Sequence, residues 1–595
     1  VGPEIDYVQV LSQGKRYIVA ASRLDVIFPD AGARTVEATM LGSSIEGLSY
    51  EPLFPYFENL REAGAFRVLS DPYVTTDEGT GIVHQSPAHG EDDYRVCARH
   101  KIPLVDPVDV SGNFNELASD FVGINIKEAD RLIIRALKDR GRLFAQATIE
   151  HSYPFCERSG TPLIYKAITA WYVKVEDLRD EMVALNETIH WVPESIGKGR
   201  FGNWLREARD WNISRNRFWG TPIPVWRCDC CGATECVASQ ETLEERSGTK
   251  VTDLHKHIVD TLSWRCAVCE SGVMNRVPEV LDCWFESGSM PYGYLHYPFE
   301  NREKFERVFP ADFIAEALDQ TRGWFYTLLV LSTALFKRAP FRNVIVSGMI
   351  LAEDGRKMSK SLANYPDPMG VMEEYGADAL RLYMVTSPVV RGEPLRFSEA
   401  GVKDIVRSVL LPYWNAYSFL TTYGEVDKYQ PSPGLFDEQN SSAALGEVVS
   451  HNILDAWIVS RFQSLLADIE REMGEYRLYN VTPALLVFLE ELTNWYVRRS
   501  RRRFWSDNAT DKQAGYDTLF WVLLNFTKVL APFTPFITEE VYRNLASLVP
   551  NAPESVHLCD YPCTAPALIS SELEGGMALI QRAVELGRSL RTRLT

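Results

Sequence analysis

Long apolar runs are missing from this chain. The most hydrophobic stretch, Trp324 to Phe336, is too short to cross a bilayer and contains Thr327, Ser332 and Thr333. It predicts a buried helix, and no membrane partner is expected. No basic, apolar, small-residue segment opens the chain, which leaves the cytoplasm as the expected compartment. Cysteine is sparse: eleven in 595 residues do not make a disulfide scaffold, yet four of them form two Cys-x-x-Cys pairs, which in a reducing compartment point to metal. Basic residues are outnumbered, 62 against 80 acidic, and the net charge of −18 argues against a protein coated in nucleic acid. If RNA binds, a local basic patch must hold it. Internal repeats and low-complexity tracts are absent too, which excludes repeat and disordered architectures.

What is present is a folded multidomain chain. Its composition, 46% hydrophobic and 24% charged, is that of a globular protein, and at about 150 residues per domain the length suggests roughly four. Residues 1 to about 180 alternate short β-rich runs (Tyr7 to Val10, Tyr17 to Ala20, Gly81 to His84, Pro162 to Tyr165) with turns and one helical stretch, Ile126 to Gly141. Residues 181 to 280 are mixed, rich in tryptophan, and hold both cysteine pairs. From Val308 to Val346 a strand, a polar turn, an apolar helix and a second strand predict a βαβ unit of a parallel sheet. Beyond about 400 the spacing is almost wholly helical, as in Asn452 to Met473 and Tyr516 to Leu530, which predicts an α-helical bundle.

Four constellations carry chemistry. Ala352 to Ser361 places an acidic glycine turn ahead of Lys357-Met358-Ser359-Lys360-Ser361, at the end of a strand-like run from Val344 to Ile350. Two ammonium groups three residues apart on a mobile loop suit a polyphosphate, whose β and γ oxygens gain charge when the α-phosphate is attacked. Upstream, Glu316-Ala317-Leu318-Asp319-Gln320-Thr321-Arg322-Gly323 opens the apolar helix, with Asp319 or Thr321 as its expected cap. Cys228, Cys231, Cys266 and Cys269 can complete a closed tetrahedral thiolate site for structural Zn2+. The 34 residues between the pairs exceed ordinary ribbon spacing, but Gln240 to Asp260 can loop out. Cys230 leaves the first knuckle ambiguous, Cys236 is a lesser competitor, and either pair alone would also suit redox chemistry. Finally Asn494 to Trp505 is the one dense basic cluster, and at helical spacing Trp495, Arg498, Arg499 and Arg502 share a face that can meet RNA phosphates and bases.

Lys357 to Ser361 resembles the signature loop of the class I aminoacyl-tRNA synthetases. That resemblance implies ATP, with Mg2+, as cosubstrate, Lys357 and Lys360 as catalytic groups with Lys360 on ATP, and Glu316, Asp319 and Gln320 facing the aminoacyl-adenylate. Asp210 to Pro224 and Asp282 to Ser289 resemble the isoleucyl branch, implying isoleucine and tRNA-Ile as partners. Their tryptophans are assigned to packing, with Arg215 and Asp282 as possible site residues. Gly79 to Tyr94 resembles the hydrolytic editing domain of the same enzymes, which implies Asp93 on the α-amino group of a misacylated residue and His84 beside its side chain and ester. Editing is needed because a pocket rejects a substrate one methylene smaller only weakly, a limit for which the isoleucyl enzymes are themselves the usual worked example. For His84 or His89 alone, a hydrogen-bonded core histidine or a metal ligand is the plainer reading.

The fold so implied is a multidomain α/β protein. A β-rich editing domain (1–180) precedes the second half of a Rossmann-type parallel-sheet catalytic domain (181–365), with a zinc-knuckle insertion at 226–272. A connecting stem-contact region (366–400), an all-α anticodon-binding helical bundle (401–562) and the start of a further region (563–595) follow. A monomer is expected. The family's His-x-Gly-His type motif does not occur in these residues, so the chain reads as part of an isoleucyl-type synthetase that does not form adenylate by itself. A tRNA-binding relative that does not charge tRNA, and an unrelated zinc-ribbon module, are the competing readings.

Overall fold

The computed structural model describes all residues except 149–151, 157–158, 360–361, 437–440, 450–451 and 595. The chain forms two compact units, Val1–Ala170 and Trp171–Thr595.

In the first unit β1 (Asp6–Ser12) is the centre of an antiparallel sheet, flanked by β2 (Lys15–Ala20) and β3 (Arg34–Leu41). Alternation along β1 sends Val8 and Val10 to a cluster with Val19 and Phe28, and Tyr7 to another with Val1, Ala20 and Ile45. The longer helices that follow are α1 (Glu91–Arg99) and α2 (Ile126–Asp139), the second where the periodicity predicts it. Gly81 to His84 and Pro162 to Tyr165 are not strands, and β3 lies outside the runs that composition picks out. For the first of these segments the reason lies in Gly81. Its φ is +76°, and a Cβ there would lie 2.5 Å from the Ala20 Cβ. The glycine-rich segment is an irregular loop pressed against β2, held by Ala20 N–H to Thr80 O (2.9 Å) and Tyr7 O–H to Gly81 O (2.6 Å).

The second unit is organised on a parallel sheet of β4 (His190–Val192), β9 (Ala311–Ala317) and β10 (Phe341–Ser347), in the order β9-β10-β4. Between β4 and β9 the chain makes a separate antiparallel sheet of β5 (Val225–Cys228), β6 (Thr234–Cys236), β7 (Ser263–Arg265) and β8 (Val273–Arg276), ordered β7-β8-β5-β6. The predicted βαβ unit is present: α3 (Trp324–Phe336) joins β9 to its parallel neighbour β10, Ala311 facing Phe341 and Ala317 facing Ser347. Every residue from Phe325 to Thr333 is buried, as an all-round apolar helix requires. The strand-like run Val344 to Ile350 is broken at Gly348, where a Cβ would lie 1.8 Å from Glu393 O. The chain resumes as β11 (Ile350–Leu351), paired in parallel with β12 (Leu395–Arg396).

Past β12 the chain is helical: α4 (Leu411–Asp427), α5 (Ile453–Gly474), α6 (Leu478–Glu490), α7 (Arg498–Phe504), α8 (Ala509–Leu530) and α9 (Pro535–Ala546) enclose one large core around Trp457, Phe462, Phe488, Phe520 and Phe526. Buried Asp378, ahead of the bundle, accepts Ile537 N–H (2.7 Å) and so caps α9 from a distance. Among the described residues no helix is long and apolar enough to cross a membrane.

Candidate functional site

The lysine loop leaves the sheet through a tight turn. Gly355, at φ +83°, lets Ala352 N–H reach Arg356 O (2.9 Å), and Asp354 accepts from both the backbone N–H and the guanidinium of Arg356. A bridge between Leu351 and Lys357 closes the turn. Asn364 then staples the loop, accepting Ser359 N–H (2.9 Å) and donating to Lys357 O (3.1 Å). Lys357 is exposed, with no carboxylate at ion-pair distance among the described residues; Lys360 and Ser361 lie outside them.

Glu316 and the segment that follows stand at the C-terminal end of β9, and the lysine loop follows the C-terminal end of β10, the edge at which open parallel sheets bind ligands. Glu316 and Asp319 are not buried. Neither Asp319 nor Thr321 caps α3. Gln320 does, its Oε1 accepting Trp324 N–H at 2.9 Å, because the residues before Gly323 form a 3-10 turn that puts Gln320 over the helix end. Thr321 is fully buried and donates to Leu318 O. The structure also brings in two tryptophans whose residue type points to packing. Gly323 sits between Gln320 and Trp284, whose ring would be 3.2 Å from a Cβ there, and Trp324 donates to Ser287 O (3.0 Å). Trp284 remains 39% exposed, giving the end of α3 an open aromatic wall. Phe218 and Trp219 are surface residues too, Trp219 stacked on His255 at 5.2 Å. Arg215 and Asp282 bond each other at 2.8 Å with Asp282 buried, a structural pairing.

In the first unit His84 is exposed on the wall of a cavity of about 870 Å³, shared with Tyr73, Thr80 and Ser86. Asp93, in the first turn of α1, stands one hydrogen bond behind that wall and accepts Ser86 N–H at 2.9 Å. Gly90 leaves room for this contact, since a Cβ there would lie 2.1 Å from the Asp93 carboxylate and displace it. His89 is the hydrogen-bonded histidine of the plainer reading: Nδ1 is 3.0 Å from Ser86 Oγ, while Nε2 is buried at 3.5 Å from Asp106, close enough for attraction but without a hydrogen bond. Burial outweighs Asp106 and pulls its pKa below the usual histidine value, so it is neutral at pH 7.

Four thiols converge at the tip of the β5–β8 sheet. The Sγ atoms of Cys228, Cys231, Cys266 and Cys269 all lie within 4.8 Å of one another, with Cys228–Cys269 at 3.6 Å and Cys231–Cys266 at 3.7 Å. A tetrahedral zinc at about 2.3 Å from each sulfur sets such edges at about 3.8 Å, so the donor set fits. Cys230 and Cys231 N–H point at Cys228 Sγ, Val268 N–H at Cys266 Sγ and Gly272 N–H at Cys269 Sγ, the backbone support that thiolates need. A Cβ on Gly272 would lie 2.4 Å from Cys228 Sγ. Cys230 turns out of the cluster toward Ser271, and Cys236 is no part of it. Crowding divides the thiols: Gly272 N–H, then Ser271, pulls Cys269 down to about 5, whereas Cys231, despite the Ala233 amide, is pushed up to about 12 by Cys228 and burial. A bound cation would stabilise all four as thiolates and tie the two knuckles together.

The basic cluster is not a simple helical face. Glu491–Val497 is a π-helical turn, which shifts the register ahead of α7. Trp495 is half-buried against the core, with the Arg499 guanidinium 5.6 Å over its ring. Arg498, Arg499, Arg501 and Arg502 are not buried. Arg498 and Arg501, three residues apart on one α-helix, line a groove of about 610 Å³ with Asn415, Thr493 and Asn494, so Arg501 joins the candidates. Arg503 turns inward, to Asp455 and Asp511.

A lysine loop and an acidic, glutamine-bearing turn stand on the C-terminal edge of one parallel sheet, and a helical bundle follows, the arrangement of a class I synthetase fold. The family model for class I tRNA synthetases (I, L, M and V) matches residues 13–396, and that for the anticodon-binding domain of tRNA ligases matches residues 455–595. The chain belongs to the class I tRNA synthetases. Within that class it is similar to the isoleucine--tRNA ligase of Bdellovibrio bacteriovorus, 50% identical over 598 residues that cover 100% of this chain and 55% of that protein. The isoleucine--tRNA ligase of Treponema denticola is 48% identical, with 99% and 55% covered, and the cytoplasmic one of Mus musculus 48%, with 100% and 48% covered. The chain spans about half the length of the curated relatives it matches.

Proposed function

We propose that this chain supplies the second half of the synthetic site, an editing unit and the tRNA-binding bundle of an isoleucine--tRNA ligase. The observation that carries this reading is identity of about half to proteins of that name over essentially the whole chain. In this reading isoleucine, ATP with Mg2+ and tRNA-Ile are the substrates. Lys357 and Lys360 hold the polyphosphate as its charge grows, a contribution made mostly in the transition state. Glu316, Asp319 and Gln320 face the adenylate, and the Trp284–Trp324 wall beside Gln320 suits an aliphatic side chain. Cys228, Cys231, Cys266 and Cys269 hold a structural zinc ion. Trp495, Arg498, Arg499 and Arg502, with Arg501, receive tRNA.

The test is isoleucine-dependent exchange of pyrophosphate into ATP. The chain alone is expected to give none. A chimera with the corresponding N-terminal segment of the Bdellovibrio relative ahead of residue 1 is expected to exchange with isoleucine far better than with leucine, and Lys357→Ala with Lys360→Ala to lose at least a hundredfold in rate, about 2.7 kcal/mol. A chimera that prefers leucine, or one indifferent to both lysines, would refute the reading.

For the first unit we infer hydrolysis of mischarged valyl-tRNA, with His84 on the cavity wall and Asp93 ordering the loop and the α-amino group. Asp93→Ala in that chimera is expected to leave isoleucine charging within about twofold and to slow valyl-tRNA hydrolysis by at least tenfold, at least about 1.4 kcal/mol. Unchanged deacylation would remove Asp93 from the editing site.

A further inference from the structure

Two arginines stand at the C-terminal edge of the parallel sheet, apart from the lysine loop, one of them at the end of the turn that holds Asp319 and Gln320. Arg200 comes from the π-helical turn Ile196–Phe201 that follows β4, and Arg322 from the turn that follows β9, so both leave C-terminal ends of strands of one sheet. Each guanidinium is held from behind. Arg200 Nε donates to Thr321 Oγ1 at 3.1 Å, and Thr321, fully buried, is itself fixed, its own hydroxyl directed to Leu318 O at 2.7 Å. Arg322 lies 4.7 Å over the ring of Trp204, itself packed edge-on against Tyr326 at 5.8 Å.

Both arginines are exposed, and neither has a carboxylate at ion-pair distance among the described residues. Their neighbours differ: Lys198 pairs with Glu194, and Arg206 bonds Asn203. In a chain of net charge −18, two guanidinium groups, one held by Thr321 and the other carried by the next residue along the chain, make an anion site when no carboxylate among the described residues pairs with either.

We propose that Arg200 and Arg322 bind phosphates of the single-stranded 3′ end of the tRNA, a contact separate from the Arg498–Arg502 surface. The inference rests on the reading of the chain as a tRNA ligase. The 3′ terminus must reach the Glu316–Gln320 turn to be charged, and Thr321 and Arg322 are the next residues. A strand arriving there runs its negative backbone past this edge, and fixed guanidinium forks match phosphate oxygens without losing side-chain freedom. The triphosphate has its own lysines in the loop after β10.

The experiment uses the 595-residue chain and two fluorescein-labelled RNA hairpins, one blunt and one with a short single-stranded 3′ extension, with anisotropy measured over a salt series. Arg200→Glu with Arg322→Glu is expected to weaken binding of the extended hairpin by roughly tenfold and to flatten its log–log salt dependence by about 1.4, about 0.7 for each single-strand phosphate no longer neutralised. Arg200→Gln, which keeps a donor toward Thr321, is expected to flatten the slope by about half as much. Binding of the blunt hairpin is expected to be unchanged, as is binding of the extended hairpin by Lys304→Glu, an exposed charge reversal elsewhere on this unit. Equal weakening with both hairpins, equal weakening in Lys304→Glu, or weakened ATP binding with RNA binding intact would each overturn the assignment. Binding that survives the double reversal overturns this proposal alone. An unaltered chain that binds neither hairpin overturns the tRNA reading with it.

Discussion

Arg503→Met is expected to destabilise the helical bundle by about 3–5 kcal/mol, the cost of leaving a buried charge without its partner. Asp455 has no exposed surface, and Arg503 meets it with two hydrogen bonds of 2.7 and 2.8 Å while also bonding Asp511. Tyr496 O–H supplies a further donor at 2.6 Å. Burial already pushes the Asp455 carboxyl above the usual carboxylate range, with Arg503 opposing it. Without the guanidinium that pKa rises further. A carboxyl whose folded pKa exceeds its unfolded value binds protons more tightly when folded, so stability falls as pH rises from the unfolded value through the folded one. The deficit of the variant is therefore expected to shrink on acidification, as the stranded carboxyl takes a proton. Replacing both partners, Arg503→Met with Asp455→Leu, is expected to recover most of the stability. Urea unfolding followed by circular dichroism at several pH values decides it: a single variant within about 1 kcal/mol of the parent, or a deficit that widens in acid, contradicts this account.

Cys266→Ser is expected to abolish stoichiometric zinc and to open the β5–β8 module to protease, whereas Cys230→Ser is expected to keep the metal and the parent cleavage pattern. Structural zinc contributes about 10–16 kcal/mol of apparent binding energy in zinc-finger peptides. The module here has apolar support of its own, from Trp226, Leu243, Val251 and Met274, so only part of that energy appears as lost stability. The sulfurs are placed at the end of β5, just past β7 and in the turns that follow them, and a missing thiolate leaves the other three as crowded, competing acids. Metal content by atomic emission together with limited proteolysis separates the outcomes. One zinc per chain in Cys266→Ser, or its loss in Cys230→Ser, would show that a different set of sulfurs holds the metal.

Elements with strong periodicity are legible in the sequence. The helix Ile126–Asp139, the buried helix Trp324–Phe336 and the long bundle helices fall where apolar spacing places them, because burying such a stripe dominates local choice. Short segments are legible only in part: Tyr7 to Val10 and Tyr17 to Ala20 lie in β1 and β2, but the other two short runs are not strands. Gly81 to His84 has strand-like composition but lies as a loop against Ala20, a contact set by a neighbour 61 residues away in sequence. The choice of Arg498, Arg499 and Arg502 leaves out Arg501, although Arg501 is three residues after Arg498 on one α-helix and lines the same groove; only the groove shows that it belongs with them. Residue type assigns the cap of α3 to Asp319 or Thr321, and a 3-10 turn hands it to Gln320.

By itself the sequence determined which chemistry this protein carries: paired lysines in a loop, four thiols in two knuckles, a basic helix in an acidic chain. These depend on residue type and spacing along one segment. Tertiary structure decided which of several equivalent groups does each task. It chose Cys228 and Cys231 over Cys230, turned Arg503 inward to Asp455, locked Arg215 onto Asp282, and left Arg200 and Arg322 without a carboxylate among the described residues. The physical reason is that partnership is a property of space. Whether a charged or polar side chain is consumed by the fold or left for a ligand depends on which distant residue meets it, and no local pattern records that.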